Sequence, residues 1–484
     1  MRSTCPLLPL FASAAIVGCA PVPRLAVAPS VLSRDWGMSG DAVTVSNTVA
    51  GGGPSAAGNA VMMVPREQFW HAFGSPDLDR LIAAAIANNP GLDAARARID
   101  RARAELRVTR SARLPTVNAT LGGETGRNAA QGAPVYTYNG ISAGLDISYD
   151  LDLFGANAAG RRAGRARLAG AGFDADAAAL VLQAEVAKTY IQFAALNDRI
   201  ALADRKLAGG RDLQRIIAIR IREGAADDGE AARQTVEVER IVAFRTTLAE
   251  QRRHLLTALA LLVGAEAPRF PAPPARLAGL SRPGVDPEQP AMMVVRRPDI
   301  RAAEARISAA RGDVDAARRA FLPSLKLTTS GFGTAVSLLG PIGLTTNVGA
   351  SLLAPIFQGG RLRGQLDAAS ASQRESVALY RQTLLSALGE VTDALSSTEL
   401  TAQREASAKR ALVAAQRDTR LNELRYREGD IELKALIDAR WNQYEAEDLW
   451  LTAAQDRLIA AIDVFRATGG APASDGDRAS LSAK

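Results

Sequence analysis

The feature that most constrains the fold of this chain is an internal duplication. Residues 94–120 (AARARIDRARAELRVTRSARLPTVNAT) align with residues 302–328 (AAEARISAARGDVDAARRAFLPSLKLT) at a constant offset of 208. Further along, residues 221–228 (IREGAADD) align with residues 426–433 (YREGDIEL) at an offset of 205. Self-similarity at one fixed period indicates a structural unit that is used twice. The 484-residue chain is therefore expected to hold two copies of one unit, each about 170 residues long.

Each copy predicts the same order of elements: a helix, two strands and a long helical hairpin. The opening helix ends at a Leu-Pro pair, because the residue before proline is pushed out of the helical region. The predicted strands and hairpin cover about 114–124, 139–153 and 156–264 in the first copy, and about 322–332, 342–357 and 362–468 in the second. No proline occurs between Ala156 and Arg222, so this arm could reach on the order of 100 Å as one helix, with a possible bend at Gly209–Gly210.

The predicted strands are apolar on one face and polar on the other. In GISAGLDISYDLDLFG (140–155), the odd positions from 141 to 153 carry Ile, Leu, Tyr or Ala, and the even positions between them carry Ser, Gly or Asp. Residues 344–356 of the second copy alternate in the same way. A period of two indicates a strand with two opposed faces. A soluble sheet would bury the apolar face and solvate the polar one, so the strands alone do not decide the environment.

The N-terminus resembles a bacterial lipoprotein signal. Arg2 precedes an apolar stretch over 7–17, and Ile16-Val17-Gly18-Cys19 resembles a lipobox. We therefore expect a signal peptide over 1–18 and a lipid on Cys19, the alternative being an ordinary secretory signal with an incidental cysteine. Ala20 follows the cysteine, and by that resemblance implies sorting to the outer membrane.

The predicted organisation continues with a lipidated extended segment over 19–65, the first repeat over 66–266 and a proline-rich connector over 267–290. The second repeat covers 291–470 and a flexible tail 471–484. The connector holds seven prolines, a composition typical of an extended linker.

Composition disfavours two functional classes. The net charge of +7 would suit nucleic-acid binding, but arginines alternate with acidic residues in helical segments such as 96–110 and form no patch with aromatic side chains. No catalytic constellation, cofactor motif or metal-spaced cluster is evident, and His71 and His254 are the only histidines. The motif RRPD (296–299) is interpreted as a structural helix start rather than a binding motif. The chain is therefore predicted not to be an enzyme.

The strand count favours a shared membrane barrel. Four strands cannot close a sheet in lipid, where each unpaired backbone group costs several kcal/mol. Two chains would supply eight strands, which fill their own interior, whereas three would supply twelve and leave a passage. In such a barrel the apolar faces would meet lipid, and Asp146, Asp150 and Asp152 would line the lumen.

Several stretches resemble the TolC-type outer-membrane factors, in particular the lipid-anchored branch that serves resistance-nodulation-division efflux pumps. They are FWHAFGSPDLDRLIAAAIANNPGLDAA (69–95), VVRRPDIRAAEARISAAR (294–311), AFLPSLKLT (320–328) and RYREGDIELKALIDAR (425–440). The resemblance implies a mainly α-helical fold with a membrane β-barrel: a homotrimer with twelve strands above a long periplasmic helical tunnel. It also implies a passive, gated exit duct in the outer membrane, partnered by a periplasmic adaptor and an inner-membrane pump.

The same resemblance assigns the gate and the adaptor contact to the helical turns. The matching residues are Gly224, Asp227, Asp228, Glu230, Tyr426, Arg427, Gly429 and Asp438. Asp438 matches an acidic ring position, whereas Ala435 departs from a second one, which puts a double ring in doubt. For any one of these residues the alternative is a solvated turn or an intrahelical ion pair. Two other functions stay open at this point: a protein-secretion exporter of the type I kind, and a periplasmic coiled-coil adaptor or scaffold.

Overall fold

The computed structural model describes residues 69–128, 135–283, 296–335 and 342–470. The long elements of these residues are α1 (Pro76–Asn88), α2 (Pro90–Ser111), β1 (Thr116–Asn128), β2 (Tyr136–Leu151), α3 (Ala156–Arg222), α4 (Asp228–Val263), α5 (Pro298–Arg319), β3 (Ser324–Ala335), β4 (Ile342–Leu353), α6 (Arg361–Glu428) and α7 (Leu433–Ala467). The predicted signal peptide, Cys19, the segment 19–65 and the tail 471–484 lie outside the described residues.

The two copies begin with matching helices. α2 and α5 are each 22 residues long and start at Pro90 and Pro298, which are 208 residues apart. Proline suits the first helical position because its missing N–H has no partner there in any case. The caps differ, since the Asn89 side chain accepts the N–H groups of Gly91 and Leu92, whereas Arg297 offers no such cap.

The strand ends differ from the predicted ones for local reasons. β4 ends at Leu353, four residues before the predicted 357, and Pro355 has no N–H with which to continue a ladder. β2 ends at Leu151. The next residue, Asp152, accepts the backbone N–H of Asn157 (3.1 Å) and of Ala158 (2.8 Å), so it serves the start of α3.

The four strands form one antiparallel sheet in the order β1-β2-β3-β4. β2 pairs with β3 across the two repeats, so the copies share a single sheet. Within the described chain, β1 and β4 form the two edges.

α3 is the central helix. It contacts α2, α4, α5 and α7, and α6 contacts α5 and α7. Small residues allow these close approaches: a Cβ on Gly312 would lie 2.9 Å from Ala163 Cβ, and one on Gly210 would lie 3.2 Å from Val238 Cγ2. α3 is continuous through Gly209–Gly210, so Gly210 serves the contact with α4 and introduces no break.

The main core lies where the segment before α1 meets α3 and the end of α7. Phe69 stacks on Phe465 with ring centroids 4.2 Å apart, and Phe73 is fully buried beside them. Tyr190 of α3 is buried and its hydroxyl lies 2.8 Å from Ser75 Oγ. Burial raises the pKa of the Tyr190 phenol, although the Ser75 hydrogen bond opposes this.

The RRPD motif is structural. Arg297 is buried, and its guanidinium donates to Asp299, to Glu390 of α6 (3.0 Å) and to the carbonyl of Ala467 at the end of α7 (3.0 Å). Its charged partners raise the pKa of Arg297 against the opposing effect of burial. This side chain therefore joins three helices of the second copy.

Candidate functional site: strand faces and helical turns

The strand register places most apolar positions on one face of the sheet, the exceptions being Phe332 and Leu353. One transverse row joins Val117, Ile147, Thr329 and Val348, and the next joins Asn118, Asp146, Ser330 and Asn347. Because side chains alternate between faces along every strand, successive rows face opposite sides. The alternation seen in the sequence is therefore in phase across all four strands.

The apolar face is exposed in the single chain. Leu121, Leu344 and Val348 are 81%, 78% and 88% exposed. A contiguous apolar surface of this kind on a sheet marks contact with a partner or a membrane. Its continuity over four strands is what a lipid-facing band requires.

On β2 the polar face is less exposed than the apolar face. Along β2, Ser142, Asp146 and Ser148 are half-buried, whereas Leu145 and Ile147 on the other face are exposed.

Two of the three predicted lumen residues lie on this face. Asp146 is opposite Ser330, and Asp150 is opposite Lys326, an opposite-charge cross-strand position. Asp152 follows the strand and caps α3, so the structure separates it from the other two.

The two hairpin turns have the same backbone hydrogen bonds. In the first, Gly224 N–H donates to the Ile221 carbonyl (3.0 Å) and Ala225 N–H to the Arg220 carbonyl (2.8 Å). In the second, Gly429 donates to Tyr426 (3.1 Å) and Asp430 to Arg425 (2.9 Å), so every partner is 205 residues further on. These are Schellman motifs, and the glycines adopt positive φ values of 74° and 77°.

The turn charges differ between the copies. Asp227 caps α4 by accepting the Glu230 N–H (2.7 Å), and Glu230 itself pairs with Arg220 of α3 (3.3 Å). In the second copy Asp438 pairs with Lys434, four residues earlier on α7 (3.1 Å). The structure therefore brings Gly224, Asp227 and Glu230 together at one turn.

The remaining predicted turn residues are all exposed: Asp228 at the start of α4, Tyr426 and Arg427 in the last turn of α6, and Gly429. Asp438 is in the second turn of α7, nine residues after Gly429. Sequence reasoning missed Arg220 and Lys434. The i,i+4 spacing of Lys434 and Asp438 could have predicted their ion pair, whereas the pairing of Arg220 with Glu230 depends on how the hairpin closes.

No cluster of side chains suited to a metal ion occurs in the described ranges. The helices of the same ranges include none with the length and apolar character of a membrane span.

Comparison with known proteins gives a consistent result. The family model described as "Outer membrane efflux protein" matches residues 81–265 and 290–470. The pyoverdine export outer membrane protein OpmQ of Pseudomonas aeruginosa is 32% identical over 422 residues, covering 84% of this chain and 88% of that protein. The toluene efflux pump outer membrane protein TtgF of Pseudomonas putida is 31% identical, covering 96% of each chain. The open-state MtrE outer membrane channel of Neisseria gonorrhoeae is 28% identical with a TM-score of 0.73, covering 82% of this chain and 89% of that chain.

Proposed function

The chain belongs to the outer membrane efflux protein family, and from that premise we propose that three copies form the passive exit duct of a tripartite efflux pump. A channel component in the outer membrane is the function shared by its relatives. The trimer, the adaptor and pump partners, and the gate are the parts that the proposal adds.

The observation that carries the proposal is the in-phase apolar face on a sheet with two free edges. β1 and β4 would each leave unpaired N–H and C=O groups in lipid, and pairing β4 of one copy with β1 of the next removes both edges. Three copies give twelve strands and a lumen, whereas two give a barrel filled by its own side chains. Asp146 and Asp150 would then line the water-filled side.

The helices extend the duct away from the sheet. α3 and α6 have 67 and 68 residues, which corresponds to roughly 100 Å each. We propose that the turns at their far ends, around Gly224 and Gly429, close the tunnel and receive the periplasmic adaptor. Exposed turns on long arms are suited to both roles, because they can move with little loss of buried contact.

A matched pair of substitutions on β4 tests the barrel. Val348→Lys places a charge on the apolar face and is expected to cost about 2–4 kcal/mol in each chain at mid-membrane depth. Asn347→Lys, its neighbour on the polar face, should assemble normally and shift ion selectivity towards anions. The readouts are the mass of the detergent-extracted protein and single-channel conductance. Equal assembly of both variants, or a monomer that needs no detergent, would refute the shared barrel.

The gate is tested at the turn charges. Glu230→Ala removes the partner of Arg220, and Asp438→Ala removes a carboxylate that threefold symmetry would repeat around the axis. The double variant should raise the conductance of the closed channel, whereas Glu239→Ala, at an exposed position of α4 away from the turn, should not. Unchanged conductance of the double variant would count against gating by these residues.

The lipid on Cys19 is proposed to be an anchor with no part in the duct. Cys19→Ala with a cleavable signal should therefore still give trimers of normal conductance. If that variant stayed monomeric, the lipid would be needed for assembly of the channel as well as for anchoring, and the proposal would be wrong.

We propose that the pump, not this chain, selects the cargo. Two relatives of nearly equal similarity are named for pyoverdine and for toluene, which share little chemistry. A wide aqueous lumen lined by Asp, Ser and Asn side chains offers no apolar pocket for either compound. Both names describe small-molecule export, which favours efflux over protein secretion for this chain.

A further inference from the structure

Four arginines lie together where α2 ends and α3 begins, next to the strands: Arg110, Arg113, Arg161 and Arg165. The backbones approach closely at this seam. A Cβ on Gly164 of α3 would lie 3.0 Å from Thr109 Oγ1 and 3.2 Å from Leu106 Cδ1 of α2. The arginines are within about one helical turn of this contact, so their charges share one surface. We call these four residues the arginine seam.

The charge of the arginine seam is not neutralised by the described part of the chain. The Nε atom of Arg161 is buried without a hydrogen-bond partner there. Burial, followed by the like charges of Arg113, Arg165 and Arg110, lowers the pKa of Arg161. Asp152 is the acidic residue that counteracts this effect, but both of its oxygens already accept backbone N–H groups of α3.

The other side of α3 has its charges paired. Facing α5, Arg162 pairs with Asp315 (3.3 Å) and Arg167 pairs with Asp313. Over residues 156–170 of α3, the arginines without an ion pair are therefore Arg161 and Arg165, on the side that faces α2.

The duplication indicates that the fold does not need all four arginines. At the offset of 205, Arg161 and Arg165 correspond to Leu366 and Ser370 of α6. At the offset of 208, Arg113 corresponds to Phe321, whereas Arg110 corresponds to Arg318. The second copy thus builds the equivalent helix pair with one of the four arginines retained.

The arginine seam adjoins the apolar surface. Leu114 directly follows Arg113 and is 65% exposed, and Leu153 and Phe154, just before α3, are 55% and 46% exposed. Arg161 is the sixth residue of α3, roughly 8 Å from its first residue. The headgroup layer beyond the hydrocarbon core is about 5–8 Å thick on each side, so Arg161 falls at headgroup depth and Arg165 lies one helical turn deeper in the periplasm.

We propose that the arginine seam binds the phosphate of an anionic phospholipid in the periplasm-facing leaflet, with the acyl chains on the adjoining apolar surface. Guanidinium groups bind phosphate oxygens in a bidentate manner, and arginines at a membrane surface attract anionic lipid. The site rests on the proposed placement of the strands in the outer membrane. It would fix the depth of the channel where α2 meets α3.

The test is lipid binding to the intact trimer, measured by native mass spectrometry in detergent with added phosphatidylglycerol or phosphatidylcholine. The variant Arg161→Leu/Arg165→Ser adopts the residues of the second copy. The control Arg252→Gln/Arg253→Gln removes two exposed arginines from α4. Wild type and control should prefer phosphatidylglycerol, and the variant should bind it about tenfold or more weakly, with phosphatidylcholine binding unchanged in all three.

Three outcomes would overturn the proposal. Equal phosphatidylglycerol binding by variant and wild type would exclude the arginine seam as the lipid-binding site. Displacement of the lipid by millimolar inorganic phosphate would mean a general anion site. A changed anion-to-cation permeability without lipid loss would place the arginines in the lumen. Trimer mass and conductance of the wild type, recorded in parallel, distinguish failure of the lipid site from failure of the duct itself.

Discussion

Four glycines end helices in the same backbone conformation but in different surroundings. The same substitution, glycine to alanine, is therefore expected to cost a small amount of stability at two of them and a larger amount at the other two. Gly224, Gly264, Gly429 and Gly469 have φ values of 74°, 75°, 77° and 84°. Replacing any of them by alanine costs about 1–2 kcal/mol for the left-handed conformation alone. At Gly224 and Gly429 nothing lies within 4 Å of the new Cβ, so we expect no more than that.

At the other two positions a steric cost is added. The Cβ of Gly264→Ala would overlap the Asn88 carbonyl, and that of Gly469→Ala would lie 3.0 Å from Arg297 Cα. Both neighbours are backbone atoms, which cannot rotate away, so we expect a total of about 3 kcal/mol or more, as for other overpacked sites. Amide hydrogen exchange of peptides covering each turn measures the local cost. Equal effects of Gly224→Ala and Gly264→Ala would refute the reasoning, because they share φ and differ only in surroundings.

Three further changes have defined outcomes. Glu405→Gln, which replaces a buried carboxylate held by Arg282 of the connector and Arg457 of α7, should weaken connector attachment by about 1.5–3 kcal/mol, seen as faster exchange over 276–283. Asp152→Ala removes the acceptor of two N–H groups at the start of α3 and should cost about 1–2 kcal/mol in thermal unfolding. Because burial raises the pKa of Tyr190 when folded, its contribution to stability is complete below pH 10 and lost above it; the melting temperature should fall more steeply there than in Tyr190→Phe.

The features that could be predicted from the sequence are those that repeat or alternate along it. The duplication predicts two hairpins, and the structure repeats even the turn hydrogen bonds at the offset of 205. The alternation of β2 predicts which residues share a face, because a one-residue slip would invert the whole strand. Asp152 shows the limit of that rule. It continues the even polar series, but it lies just before a helix, and its carboxylate accepts backbone N–H groups of α3 instead of lining the sheet.

Contacts between residues on two different helices could not be predicted from the sequence. Glu230 meets Arg220 only because the Gly224 turn folds α4 back on α3, and the spacing of ten residues matches no helical period. The role of Gly210 could not be predicted for the same reason. The Gly209–Gly210 pair suggested a bend, but a glycine is needed at 210 because Val238 of the return helix lies too close for a side chain there.

The two turns therefore differ in how firmly their arms are joined. At the first turn, the Arg220–Glu230 pair links α3 to α4 at the very end of the hairpin. At the second turn, Lys434 and Asp438 belong to the same helix, and Arg425 of α6 pairs with Asp430 of the turn itself (3.7 Å), so neither ion pair joins α6 to α7.

The next link between the arms of the second hairpin is farther from its turn. Glu423 of α6 pairs with Arg440 of α7 at 3.0 Å, eleven residues beyond Gly429 on the return arm. An exposed ion pair contributes only about 0.2–1 kcal/mol, but at a hairpin end it opposes separation directly. We therefore expect amides over 428–433 to exchange faster than those over 223–228, and Arg220→Gln to remove most of that difference. If the two turns exchanged equally in the wild type, the ion pairs would have no part in closure, and the identical Schellman motifs would set the stability of both.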